Sequence, residues 1–375
     1  MSRGPPPYNI DMSTPSPSRR DFLSGKSARR VVEAAGEVIA DQLTEQKRVP
    51  FAGDTIRLET HAMACPWNVV MTPGPADQVM RASDAFQVVH DVESLLTVYR
   101  AESEISQVNF QAAERPFAVS PELYEVLDRA RRLSIETGGA FDPASGSLLR
   151  VWRAARREGR IPTQAEIDEA LLSSGVARIE FDPLARSVRF PRIGFAFDLG
   201  AIGKGYAVDR AVQSLREAGM TDFLVHGGFS SVYGAGDHLG QGGWPVALKN
   251  PLFLDGSYAT VLLQDAGLGT SGSNVQYFRH EGRRYGHILD PRTGWPAEGL
   301  LSVTVIAPTT AEADALSTAL FAIGLEAAVD WCGRHLEVAA ILVPPPDSTG
   351  RLKPIICNLP DDRLFLADDL VTEDA

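Results

Sequence analysis

Two periodicities of apolar and polar residues divide the chain into predicted helices and strands. Apolar residues that recur every three to four positions share a helical face, and those that alternate share one face of a strand. The first pattern predicts helices near residues 27–46, after Pro75, from Pro121, over 204–218 and over about 311–326. The second predicts strands near residues 55–72, 188–198, 222–233, 244–249, 258–265 and 301–307. The interleaving of both kinds of element predicts a mixed α/β (α+β) fold.

Capping signals fix the ends of one helix and predict the start of another. Ser120 is a good N-cap for the helix that begins at Pro121, and Gly138 terminates it. Thr163 and Glu166 have the spacing of a capping box, in which each side chain bonds the backbone of the other residue. A further helix is therefore predicted to begin after Thr163.

The two ends of the chain differ in composition from its middle. Residues 1–50 combine a Pro-, Ser- and Arg-rich start with an amphipathic helix, and residues 346–375 are Pro-rich and then acidic. Neither composition favours a packed core. We therefore predict a folded domain over residues 51–345, in one piece or in two lobes. A disordered tail with its helix precedes it, and a poorly ordered tail follows.

Arg19 and Arg20, followed by Phe22 and Leu23, resemble a twin-arginine export signal. Such a signal also needs an apolar stretch after the arginines. Here that stretch carries the charged residues Lys26, Arg29, Arg30, Glu33 and Glu37. We therefore expect a cytoplasmic protein and keep export as the alternative. The sequence contains no run apolar enough to predict a membrane span.

Composition and charge narrow the class of ligand. Of the 375 residues 44% are hydrophobic, which is enough to bury a sizeable core. The formal net charge of -12 argues against nucleic-acid binding, because that binding needs a concentrated basic surface. A polyanionic ligand would have to be held locally, for example with a metal. Cys65, Cys332 and Cys357 are widely spaced and predict neither a disulfide framework nor a zinc site.

A glycine-rich segment, residues 198–206, joins a predicted strand to a predicted helix. Such a turn presents backbone amides at a helix N-terminus, where phosphate binds readily. The glycine spacing differs from that of a P-loop, and neither Ser nor Thr follows Lys204. From these residues alone, a phosphate site and a plain strand-to-helix turn are equally good interpretations.

Asp314 and Thr318 lie one turn apart on the predicted helix that follows the capping residues Thr309 and Glu312. A carboxylate and a hydroxyl so placed can supply two oxygen ligands to Mg²⁺. A carboxylate in a first helical turn also complements the helix dipole, and the threonine can simply be buried. The residues alone favour this second, structural interpretation.

His287 lies three residues before Asp290, beside a turn that contains Pro and Gly. Turn formation explains Asp290 and its neighbours but not the histidine. Imidazole exchanges protons near neutral pH, which suits a general base, although a lone histidine is more often structural. The other histidines have no metal-ligand spacing, and no Gly-x-Ser-x-Gly elbow supports a serine hydrolase.

Taken together and in this order, the segments resemble the ApbE-like FAD:protein FMN transferase family. The resemblance runs from about Ile56 to Gly324. It is carried by residues 99–109, 138–143, 198–209, 227–228, 270–272, 287–294 and 313–318. Each segment alone is a weak signal, whereas their joint order is specific.

The resemblance implies a role for residues in each segment. FAD is contacted by Met63, Tyr99, Ala140, Phe141, Asp142, Asp198, Lys204 and His287, of which residues 140–142 line the nucleotide pocket. Mg²⁺ is bound by the Ala201 carbonyl, Asp314 and Thr318. His287 is then the catalytic residue, a general base or charge stabiliser for the incoming hydroxyl. This implication replaces the structural interpretation of Asp314 and Thr318.

The resemblance also implies an activity and a fold. The activity is Mg²⁺-dependent transfer of FMN from FAD, the substrate, to a Thr or Ser hydroxyl in a flavinylation motif of an acceptor protein, with release of AMP. The fold is T-fold-like, with layered sheets and helices around an FAD cleft, and residues 51–345 form the transferase domain. An FAD pyrophosphatase and a non-catalytic FAD-binding protein are the alternatives that the sequence leaves open.

Four positions depart from the pattern of the family. Phe229 replaces a polar or acidic residue after the paired glycines, and His226 stands where the family often has Asn. Met63 is followed by Ala64 and Cys65 in place of Gly and Thr. The pocket contacts near these residues are therefore expected to differ.

Overall fold

Helices and sheets interleave along the chain. The computed structural model describes residues 55–253, 256–273 and 277–367. Its helices are α1 (Gln78–Leu96), α2 (Glu104–Gln111), α3 (Pro121–Glu136), α4 (Gly146–Arg157), α5 (Gln164–Leu172), α6 (Gly203–Glu217), α7 (Thr310–Ile323) and α8 (Leu325–Arg334). Its strands are β1 (Ile56–Ala62), β2 (Cys65–Met71), β3 (Phe117–Ala118), β4 (Glu180–Asp182), β5 (Ser187–Arg189), β6 (Phe223–Gly227), β7 (Ser231–Ala235), β8 (Trp244–Lys249), β9 (Ser257–Leu263), β10 (Ala266–Gly272), β11 (Tyr277–His280), β12 (Arg283–Gly286), β13 (Ser302–Ala307), β14 (Ala339–Val343), β15 (Ile355–Cys357) and β16 (Leu364–Leu366). The predicted mixed α/β fold is confirmed.

Within the described residues, an eight-stranded sheet organises the fold. Its strand order is β1-β2-β6-β7-β10-β13-β14-β15, with antiparallel pairing at every step. Helices α1, α6 and α7 pack on one face and bury the main apolar core with it. The small sheet β16-β9-β8 packs on the other face, across a second apolar cluster that includes Val232, Val261 and Ile341.

A separate aromatic cluster joins α4 and α5 to the β11–β12 hairpin. Trp152 lies at its centre, with Tyr285 and Trp295 at ring-centroid distances of 6.0 and 5.5 Å. The indole Nε1 of Trp152 also donates a hydrogen bond to the Gly294 carbonyl at 2.8 Å. The segment that carries His287 and Asp290 is therefore fastened to α4.

The predicted helix caps are present. Ser120 Oγ accepts a hydrogen bond from Leu123 N, and Thr163 with Glu166 forms the complete capping box at the start of α5. At the start of α7, Thr309 Oγ1 accepts from Glu312 N, which is one of the two hydrogen bonds of a capping box. The first turn of α7, which precedes Asp314, is therefore placed as the sequence predicts.

The strand predicted over residues 188–198 is wrong beyond Arg189, where β5 ends. The following residues are apolar because Phe190, Phe195 and Phe197 are buried in the core. The Asn109 side chain takes the place of a neighbouring strand, since Asn109 Nδ2 donates to Phe197 O at 2.9 Å and Phe197 N donates to Asn109 Oδ1 at 2.7 Å. Apolar residues in an extended loop thus imitate a strand pattern.

Other element boundaries differ from the prediction. The strand predicted over 222–233 is the hairpin β6–β7, which turns at residues 228–230. The helix predicted over 311–326 ends before Gly324, where α8 follows. The segment after Pro344, predicted to be poorly ordered, contributes β15 and β16 because their apolar residues complete the two sheet edges.

Some predictions lie outside the described residues or are not tested. The predicted helix near 27–46 and the Arg19–Arg20 pair belong to the undescribed part of the chain. The start of the domain at residue 51 and the tail over residues 1–50 stay predictions. Of the helices in the described part, none is both long and apolar enough to cross a membrane.

Candidate functional site

Asp314, on α7, is a buried carboxylate with only 6% of its surface exposed. It accepts a hydrogen bond from Gly205 N at 2.7 Å, and Ser231 Oγ lies 2.8 Å from each of its oxygens. Burial raises its pKa to about 6, while the positive charge of Lys204 and these donors act in the opposite direction. The protein therefore compensates this charge only in part, and a bound cation would complete the compensation.

Glycines allow α7 to lie directly against α6 and β10. A Cβ at Gly205 or at Gly267 would overlap the backbone of Thr310, and a Cβ at Gly269 would overlap that of Ala313. Only glycine fits at such a close approach of two backbones. This packing holds Asp314 over the Gly205 amide and beside Ser231.

Asp209 on α6 anchors the N-terminus of α7. Its carboxylate accepts hydrogen bonds from Thr310 N at 2.7 Å and Ala311 N at 3.0 Å. Burial raises its pKa to about 6, although these amides and Arg129 partly compensate the charge. Asp209 and Ser231 were not assigned roles from the sequence, because their partners lie 101 and 83 residues away.

Thr318 lies one turn after Asp314, as predicted. Its Oγ1 donates to the Asp314 carbonyl at 3.2 Å and lies 3.1 Å from Ser271 Oγ on β10. Ala201 lies in the turn before α6, the helix whose Gly205 amide bonds Asp314. The structure thus links the glycine-rich turn and the Asp314–Thr318 pair through a direct hydrogen bond.

The oxygen atoms of this region suit a hard cation as ligands. The carboxylate of Asp314, the hydroxyl of Thr318 and the carbonyl of Ala201 are oxygen ligands of the kind that Mg²⁺ prefers. No group of three or more His, Cys, Asp or Glu that could hold a metal occurs among the described residues. Magnesium with one protein carboxylate would take its remaining ligands from substrate phosphate and water, as it does in many phosphate-handling sites.

Lys204, in the first turn of α6, influences two neighbouring groups. Its charge acts on Asp314 and on the Cys65 thiol of the β1–β2 hairpin. Burial raises the pKa of Cys65 despite this charge, so the thiol is a poor nucleophile. Lys204 therefore adds positive charge between the glycine-rich turn and the hairpin without activating a cysteine.

Met63 lies in the two-residue turn of the β1–β2 hairpin. Met63 and Ala64 have φ angles of 49° and 59°, a left-handed conformation that Asn and Gly adopt more easily. Met63 N donates a hydrogen bond to Glu93 Oε1 on α1 at 2.8 Å. Glu93, which the sequence analysis did not single out, thus holds the turn that carries Met63.

Tyr99 and Asp198 are brought together by a residue that the sequence analysis missed. Arg153 Nη2 on α4 donates to Asp198 Oδ2 at 3.0 Å, and the Arg153 guanidinium lies 5.7 Å from the centroid of the Tyr99 ring. Asp198 Oδ1 accepts from Gly200 N at 3.0 Å. No local pattern indicates this contact, because Arg153 and Asp198 are 45 residues apart.

Residues 140–142 are buried. Ala140 and Phe141 belong to the main core. Asp142 Oδ1 accepts hydrogen bonds from Ala144 N at 2.8 Å and Val176 N at 3.0 Å, and burial raises its pKa. These side chains support the loop from within, and their role in a nucleotide pocket stays a prediction.

His287 is exposed and directly follows β12. Downstream in the same segment, Asp290 accepts hydrogen bonds from Arg292 Nε and Nη2, each at 2.8 Å. The Arg292 side chain in turn approaches Gly139, since its Cγ lies 4.0 Å from the point that a Cβ of Gly139 would occupy. The 287–294 and 138–143 segments are therefore neighbours.

Phe229 follows the paired glycines and is exposed. Lys249 Nζ lies 4.4 Å from the centroid of its ring, and the His226 ring lies 5.9 Å away, edge to face. Burial and nearby positive charges lower the pKa of His226 to about 4, so that it is neutral at physiological pH. An aromatic and cationic surface thus stands where the sequence departs from the family pattern.

Comparison with known proteins identifies the family. The family model described as "ApbE family" matches residues 63–342. The chain belongs to the ApbE family. The FAD:protein FMN transferase of Klebsiella pneumoniae is 33% identical over 70% of this chain and 81% of its own length, and that of Treponema pallidum is 31% identical over 68% and 75%.

Solved ApbE structures share the fold. The ApbE protein of Thermotoga maritima is 29% identical, with a TM-score of 0.71 over 80% of this chain and 96% of its own. Flavin transferase ApbE of Vibrio cholerae is 25% identical, with a TM-score of 0.70 over 81% and 97%. The predicted family and the predicted mixed fold are therefore both confirmed.

Proposed function

We propose that this protein is an FAD:protein FMN transferase, an enzyme that moves the FMN half of FAD to a hydroxyl group of an acceptor protein and releases AMP. The observation that carries the proposal is the hydrogen bond from the Gly205 amide to Asp314. It joins a carboxylate that suits a metal ion to a glycine-rich turn of the kind that suits phosphate. Membership of the ApbE family supports the same activity.

The reaction exchanges the phosphoanhydride link of FAD for a phosphoester link to the acceptor protein. The acceptor hydroxyl oxygen forms a bond to the phosphorus of the FMN half, the bond from that phosphorus to the bridging oxygen breaks, and AMP leaves with the bridging oxygen. We assign the hydroxyl proton to His287 as general base. Lys204, in the first turn of α6, stabilises the phosphoryl oxygens as their charge increases.

A bound metal would add to this electrostatic stabilisation. We assign Mg²⁺ to the Ala201 carbonyl, Asp314 and Thr318, where it would neutralise charge on the pyrophosphate. Ser231 and Gly205 orient the carboxylate for this role.

The proposal extends to the acceptor and to the location. Family resemblance supports a Thr or Ser of a short flavinylation motif as the acceptor. The charged residues that follow Arg19 and Arg20 support a cytoplasmic location.

Intact-mass measurement of an acceptor tests the proposal. The full-length protein is incubated with FAD, Mg²⁺ and an acceptor domain that carries the Thr or Ser motif, with FMN replacing FAD as the control. An added FMN on the acceptor, only with FAD, is the expected result. Release of FMN and AMP without acceptor modification would identify a pyrophosphatase, and bound but unreacted FAD would identify a binding protein.

A further inference from the structure

The Tyr99 ring has an unusual environment for a large aromatic side chain. It exposes 79% of its surface, in the loop that follows α1. The Arg153 guanidinium lies over the ring at 5.7 Å from its centroid. A cation above one face of an aromatic ring leaves the opposite face for a second flat group. Tyr99 is therefore arranged as a stacking surface with one side already occupied by the protein.

The Asp198 carboxylate, which shares Arg153 with this ring, is held in a fixed orientation. Arg153 Nη2 donates to Oδ2, and Gly200 N donates to Oδ1, both at 3.0 Å. A carboxylate has about four acceptor positions. Each oxygen of Asp198 therefore keeps acceptor capacity for a further donor.

Arg153 belongs to a helix that is fixed in the fold, but its side chain is accessible to solvent. Its neighbour Trp152 is buried in the aromatic cluster and bonded to Gly294, which fixes α4. The Arg153 side chain remains 41% exposed. Arg153 contacts both the Tyr99 ring and the Asp198 carboxylate, which belong to loops almost 100 residues apart.

We propose that Arg153 is a positioning residue that holds the Tyr99 ring and the Asp198 carboxylate as one unit, which receives a flat aromatic ring bearing hydrogen-bond donors. The proposal rests on the proposed function, because FAD carries two such rings, the adenine and the isoalloxazine. The ring stacks on the exposed face of Tyr99 and donates to Asp198. We assign the pyrophosphate to Lys204 and not to Arg153, because Arg153 already donates to Asp198.

Arg153→Ala in the full-length protein tests this assignment through binding. Calorimetry with FAD, FMN and AMP compares the whole substrate with its two halves. We expect the Kd of FAD and of one half to rise about tenfold, with kcat changed by less than about twofold. The half that loses affinity identifies the ring that stacks on Tyr99. Unchanged Kd values for all three ligands, or an equal loss with inorganic pyrophosphate, would overturn the proposal.

Two further variants separate positioning from general damage to α4. Arg150→Ala removes an arginine one turn earlier, whose Nη2 donates to Gly194 O at 2.7 Å, and should leave all Kd values unchanged. In a Tyr99→Ala, Asp198→Asn background, Arg153→Ala should weaken FAD binding by less than about twofold more, because the groups it positions are gone. Equal effects of Arg150→Ala and Arg153→Ala, or full additivity in that background, would contradict the proposal.

The binding experiment also distinguishes this inference from the proposed function. If Arg153→Ala weakens FAD binding but the wild-type protein modifies no acceptor, the transferase proposal is wrong and the positioning role stands. If the wild-type protein transfers FMN but Arg153→Ala binds every ligand with the wild-type Kd, only the positioning role is wrong.

Discussion

Two regions of the candidate site differ in burial and in the way that their charges are held. Around Asp314, which we call the buried region (Gly205, Ser231 and Asp314), the charged group is enclosed and bonded to neighbouring elements. Tyr99, Arg153 and His287, which we group as the exposed region because of their accessibility, include a ring and an imidazole that face solvent. The groups that we assign to charge stabilisation are enclosed, and the groups that we assign to contact with an incoming molecule are accessible.

Electrostatics explains this division. Hydrogen bonds and charges are stronger where water is excluded, so a fixed carboxylate stabilises a cation best when buried. A substrate ring and an acceptor hydroxyl must enter and leave, which requires an open surface. We therefore expect substitutions in the buried region to affect the rate of the chemical step and cation binding. Substitutions in the exposed region should affect substrate binding and proton transfer.

The largest effect is expected for Asp314→Asn. The amide has nearly the volume of the carboxylate but no negative charge, so transfer should fall by about 10³-fold or more, in an intact-mass assay at saturating FAD. Glu312→Gln removes a carboxylate from the same helix outside the buried region and should retain activity. Full activity of Asp314→Asn at low Mg²⁺ would remove the metal assignment.

His287→Ala should lower kcat by about 10²-fold, because loss of a general base has effects of this order. A base must be unprotonated to act, so the wild-type rate should fall at acidic pH and the variant should lose this acid limb. His280→Ala, on the neighbouring β11 strand, is the control. A raised Kd of FAD with an unchanged rate constant would show that His287 only binds ligand.

The raised pKa of Asp209 predicts that the free energy of unfolding depends on pH. Its folded pKa, about 6, exceeds the ordinary value of 3.8, so its contribution is fully present below pH 4 and is lost as pH rises through 6. Asp209→Asn should flatten that part of the profile, by on the order of 2 kcal/mol between pH 4 and pH 7. Urea unfolding of both proteins across this range measures the difference. Parallel profiles would exclude Asp209 as the titrating group.

The smallest effect is expected for Ser231→Ala, which leaves Asp314 in place but removes a donor to both of its oxygens. A residue that orients a ligand typically affects metal affinity by about tenfold or more. A Mg²⁺ titration of the transfer rate should shift by about tenfold, with the maximum rate retained. Ser230→Ala, at the adjacent position, should give the wild-type curve, and a shift of equal size there would indicate a general change in the β6–β7 turn.

Local patterns in the sequence predict the parts of the site that are close together along the chain. Helical spacing places Thr318 one turn after Asp314, and the Thr309 cap fixes where α7 begins. The resemblance of ordered motifs predicts that these residues meet the glycine-rich turn, and the hydrogen bond from Gly205 to Asp314 shows that they do.

Contacts between distant residues could not be predicted in the same way. Arg153 looks like a surface arginine until α4 is packed beside Asp198, and Ser231 looks like a turn residue until α7 lies on β10. The strand wrongly predicted after Arg189 has the same cause, because the amide of Asn109 replaces a strand partner from a remote helix. Local patterns in a single sequence do not reveal contacts between residues so far apart along the chain.

The β1–β2 turn at Met63 and Ala64 limits how the thermal stability of this protein could be raised. A left-handed non-glycine residue is less favourable than glycine by about 1 kcal/mol or more, so Asn-Gly at these positions would raise thermal stability. Selection for heat resistance alone would therefore favour replacing Met63. The same replacement would remove the side chain that we assign to FAD, so this turn is a position where robustness and activity compete.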